Sequence, residues 1–121
     1  MKKKKTINDY NYPANIVKLL EPIVNSIEQD RPRLAEQKMA KLAIELISDI
    51  ESNKIGHKEA DKVFTLLDIF LSDNFNTIEF SENFKSLIFE GMILHDLGKS
   101  YGADIELMKE LSNKILGNSS R

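Results

Sequence analysis

Two imidazoles, His57 and His95, and no cysteine at all restrict the chain's chemistry to what histidine, carboxylate, hydroxyl and lysine groups can do. The absence of cysteine excludes a disulfide scaffold, a zinc ribbon, an iron–sulfur site and a thiol nucleophile. The densest run of reactive side chains is His95-Asp96-Leu97-Gly98-Lys99. Read as helix-ending chemistry, it places an imidazole in a last turn, a glycine cap after it and a lysine over the exposed carbonyls. Other constellations lead nowhere. Glu45 with Asp49, and Asp61 with Asp68, are carboxylate pairs at helical spacing and read as wetted outer faces. No glutamate stands three residues before either histidine, so the four-helix di-iron pattern is missing. Asp73, Phe75, Thr77 and Glu79 fail the calcium-loop spacing. Glycine-rich dinucleotide loops, phosphate-binding lysine loops and nucleophile elbows are also absent.

The stretch Met92-Ile93-Leu94-His95-Asp96-Leu97-Gly98-Lys99, an apolar helical lead followed by His-Asp and Leu-Gly-Lys, resembles the central signature of the HD superfamily of metal-dependent phosphohydrolases. That resemblance implies an all-helical enzyme holding a divalent metal such as Mn, Fe or Mg through His95 and Asp96. His57 would be the upstream histidine, Asp104 the distal aspartate, and Lys99 would sit near a phosphate of a nucleotide or small phosphate ester. Imidazole nitrogen and carboxylate oxygen suit such ions, and the bound metal would lower the pKa of an attacking water. The likeness covers eight residues of 121. It departs from the family where Asp104 opens the very next helix instead of coming from one well downstream. The ten residues Glu90 to Lys99, with the order of helices, are also similar to a small all-helical archaeal family without an assigned activity, which implies only a compact helical domain.

Five segments with helical period must position these groups. The first is expected over Tyr12 to Glu28, with Pro13 at its first position and a stripe of Ile16, Leu19, Leu20, Ile23, Val24 and Ile27. Pro22 lies inside that stripe and is expected to kink or split it. The second runs from Pro32 to Ser52 with Met39, Leu42, Ala43, Leu46, Ile47 and Ile50 on one face, and Asn53 or Gly56 supplies a left-handed cap. So short a break predicts that the third, His57 to Ser72, folds back antiparallel. Its apolar arc is broad: Phe64, Leu67 and Leu71 face inward, while Leu66, Ile69 and Phe70 reach further round. Ser81 is the N-cap of the fourth, Glu82 to Leu97, whose Gly91 permits close approach of a neighbour. The fifth, Ala103 to Leu116, buries Ile105, Met108, Leu111 and Ile115.

The expected fold is therefore all-α, a compact bundle of four to five antiparallel helices with short loops, formed by residues 12–117. Residues 1–11 form a basic, disordered tail and 118–121 a flexible end. Lys2 to Lys5 are contiguous, and without them 13 basic residues face 19 acidic ones. An acidic globule with thinly spread arginine argues against a specific nucleic-acid surface. Tyr10, Tyr12, Phe75, Phe80 and Phe84 lack the interleaved cations of a base-stacking platform and read as core or interface. No apolar run approaches a bilayer span, and a cysteine-free chain without a leader pattern reads as cytoplasmic. Surplus apolar positions, Ile44, Phe89, Ile93 and Leu107 beside the arc of the third helix, predict self-association, preferably as a two-fold dimer. The leading functional expectation is thus a non-catalytic homo-oligomerising or protein-interaction module with no catalytic residues and no cofactor. The metal phosphohydrolase is the alternative.

Overall fold

The computed structural model describes residues 6–94 and 104–119. Among them are five α-helices, α1 Ala14–Glu28, α2 Pro32–Glu51, α3 His57–Asn74, α4 Glu82–Met92 and α5 Ile105–Ser119, preceded by a short 3-10 turn at Ile7–Tyr10 and accompanied by no strand. The bundle is all-α, as the apolar periodicity requires. No described helix is long and apolar enough to cross a membrane.

Local chemistry ends α1 and α2. Pro13 is the N-cap of α1, and its carbonyl accepts the amides of Ile16 and Val17 at 3.0 Å each. Pro22 does not split α1, which stays continuous through it. The proline and Lys18, whose carbonyl loses a donor, are both exposed, so that carbonyl stays open to water and is not sealed in the core. Leu20, Ile23, Val24 and Ile27 are meanwhile held in the core on either side. The helix closes as a Schellman motif: Asp30 takes φ 61°, its amide bonds the Ile27 carbonyl, and the Arg31 amide bonds that of Ser26. The same motif ends α2 at Asn53, also at φ 61°, with the Lys54 amide on the Asp49 carbonyl. Of the two residues able to adopt the left-handed cap, Asn53 does so. Gly56 instead has φ −90° and serves as the N-cap of α3.

The packing order differs from the chain order. α2 packs chiefly on α5 and α1, α4 bridges α5 and α3, and α3 touches α2 only lightly despite the short connection between them. Burial of α2 on two sides explains why Ala35 and Ala40 join the expected stripe in the core. Where α3 meets α4, a Cβ on Gly91 would lie 2.1 Å from Cγ of Phe64. Glycine is what allows the backbone of α4 to rest on that ring, as the sequence anticipates.

The amino-terminal segment departs from a tail ending at residue 11. Ile7 is buried, and the Tyr10 ring packs edge-on against Phe70 at 5.5 Å and beside Tyr12 at 5.2 Å. Phe70 is in consequence fully buried, not part of an outward arc. The Tyr10 ring from before the first helix and the Phe75 ring just after α3 pack on it.

Candidate functional site

Of the four expected metal ligands, the described residues include His57 and Asp104. His57 is the first residue of α3 and half-buried. Asp104 is exposed and acts as the N-cap of α5: its Oδ1 accepts the Leu107 amide at 3.0 Å, and its own amide donates to Oε1 of Glu90 at 3.1 Å. One carboxylate oxygen is thereby committed to the helix start. His95, Asp96 and Lys99 lie outside the described residues, and among the described ones no group of three or more histidine and carboxylate side chains is placed to hold a metal. α4 ends at Met92 with Ile93 as its C-cap. α4 thus closes five residues before the Leu97 expected from the sequence, and the capping reading of His95, Gly98 and Lys99 falls outside the described residues.

A buried carboxylate escapes the sequence reading. Glu36 is 3% exposed, and Arg33 donates Nη1 to its Oε2. The Ser81 amide reaches Oε2 and the Ser81 hydroxyl reaches Oε1, each at 2.9 Å. The Ser81 oxygen in turn accepts the Phe84 amide at 3.2 Å, so Glu36 anchors the N-cap of α4 to α2 across the bundle. A satisfied, charge-compensated carboxylate of this kind is a structural tie. Its signal in the sequence was its place on a stripe, since Glu36, Met39, Ala40 and Ala43 share one face.

A second polar cluster clasps the amino-terminal segment to α3. The Tyr10 hydroxyl donates to Oδ2 of Asp73 at 2.9 Å and accepts from Nδ2 of Asn74 at 3.2 Å, while that of Tyr12 donates to the Leu66 carbonyl at 3.4 Å. Burial first, then the bond to Asp73, raises the pKa of Tyr10; burial and the Asp73 charge raise that of Tyr12. Neither phenol is set up as a base at neutral pH.

A third feature is apolar. Between α3 and α4, with the loop of Phe75, Ile78 and Phe80 at one end, runs a groove of about 400 Å³. Phe80 and Phe84 stack in it with centroids 4.7 Å apart. Phe89 stands at its rim 58% exposed, and Ile69 is 42% exposed on the flank of α3. Asp68 lines the α3 wall and Lys85 the α4 wall. Of the other surplus apolar positions, Ile44, Leu66, Ile93 and Leu107 are half-buried, the last three packed against the core. The chain matches no protein-family model, no curated protein and no solved structure.

Proposed function

We propose that this protein is a non-catalytic helical module that acts by association, first of all with a second copy of itself, through the outer face of α3 and α4. The observation that carries the reading is Phe89, an aromatic side chain left 58% exposed beside an apolar groove, in a molecule whose other phenylalanines in α3 and α4 are at most 2% exposed. Exposed aromatics beside apolar clefts are a feature of association surfaces, where burying such a ring is among the largest favourable contributions. The polar clusters support the reading, because Glu36 and Tyr10 both serve to tie elements together. A cytoplasmic setting belongs to the same proposal and rests on the cysteine-free composition.

Light scattering coupled to size exclusion at tens of micromolar tests it. The expected mass is that of a dimer, reduced toward the monomer by Phe89→Ser. A wild-type chain that remains monomeric throughout that range overturns the reading.

A further inference from the structure

We infer that the two copies pair about a two-fold axis running along the α3/α4 groove, so that α3 of one protomer lies on α4 of the other. Ile69 then meets Phe89 of the partner subunit, and Asp68 faces Lys85 of the partner subunit. The inference rests on self-association as proposed above and adds which surfaces meet and in what orientation.

Register comes from the contact of Gly91 with Phe64. α3 and α4 are joined by a short loop and run antiparallel, so four residues beyond Phe64, Asp68 is level with residue 87. That leaves it about 3 Å along the axis from Lys85 at 1.5 Å per residue. By the same count Ile69 and Phe89 lie within one turn of each other. A two-fold along the groove preserves height and exchanges the two walls, so it sets each of these residues opposite its counterpart in the partner.

An isologous interface requires a single patch to complement itself, and this face does so in shape and, at Asp68 and Lys85, in sign, while Asp73 and Glu82, both exposed and level with each other by the same count, set like charges together at its end. It carries a protruding ring and a recess, and an acid on one wall with a base on the other. The competing axis, across the groove, stacks α3 on α3 and α4 on α4 and so sets like charges on the same side of the interface, which opposes it. Lys85 already meets Glu82 at 3.5 Å, but both side chains are more than half exposed, and such a pair holds its lysine weakly.

Charge complementation tests the arrangement on the full chain. Asp68→Lys alone and Lys85→Asp alone each place like charges opposite one another twice per dimer, and each is expected to raise the dimer dissociation constant by about ten-fold or more. Mixing the two variants restores pairing, because one copy then presents two cations and the other two carboxylates; native mass spectrometry reads the mixed dimer directly. Far-ultraviolet circular dichroism checks that each variant stays helical, and Ile69→Ser supplies an uncharged variant expected to weaken the same contact. A wild-type dimer that both charge variants leave as tight as before, or a mixture that fails to restore pairing, overturns the inference while self-association stands. A monomeric wild type overturns both.

Discussion

Gly91 on Phe64 is a close approach of two helices, and it was half legible in the sequence. A glycine on the apolar face of a helix signals close approach, but nothing in its neighbours names the ring it meets. Gly91→Ala should cost about 3 kcal/mol, since the ring is enclosed and cannot move aside, and urea unfolding measures it. The phenols of Tyr10 and Tyr12 lead to a second expectation. Their pKa values are raised in the folded state, so folded chains keep protons that unfolded chains release. That stability is whole below the ordinary phenol value of about 10 and is lost as pH rises through the raised values. Lys109, raised by its bond to Glu51, moves in the same direction but is exposed and adds little. Unfolding followed from neutral to strongly alkaline pH should show a decline that Tyr10→Phe makes shallower; an equally steep decline would remove the Asp73 clasp as its cause. The metal alternative also belongs to this scale. On the non-catalytic reading, purified protein carries no stoichiometric transition metal and His95→Ala leaves any phosphoesterase background unchanged, as elemental analysis and an assay with excess Mn would register.

Local sequence specified several helix ends, although α4 closes at Met92 and α5 runs through Gly117 to Ser119. Ser81 caps α4 as its type suggests, Pro32 opens α2, and Asn53 takes the left-handed position. Asp30 plays the same part at the end of α1 but escaped the reading, because aspartate before Arg-Pro looks like a turn residue with no particular backbone demand. Non-glycine residues at positive φ carry strain that glycine does not. Asp30→Gly and Asn53→Gly are therefore expected to stabilise by about 0.5 kcal/mol each, and alanine at either position to destabilise, as thermal melts of the four variants would show. α1 ran through Pro22 because the proline faces solvent while its neighbours face the core. A strip of periodicity cannot show how firmly tertiary contacts hold both halves of such a helix.

At the scale of the whole molecule, association and stability are linked. If folded chains pair through α3 and α4, mass action makes Tm rise with protein concentration, and Phe89→Ser flattens that dependence; a wild-type Tm independent of concentration counts against the dimer. Local chemistry and period sufficed for the class of fold, for where most helices begin, and for the presence of surplus apolar surface, because caps and amphipathic stripes are encoded within a turn or two of the residues that form them. The three-dimensional arrangement decided that α2 packs on α5 more than on α3, that Glu36 is drawn inside to hold Ser81, and that Phe70 is covered by Tyr10 while Ile69 and Phe89 stay outside. Each of these depends on which residue from a distant part of the chain arrives at a given place, and that is settled by packing among all the helices at once, not by the spacing along any one of them.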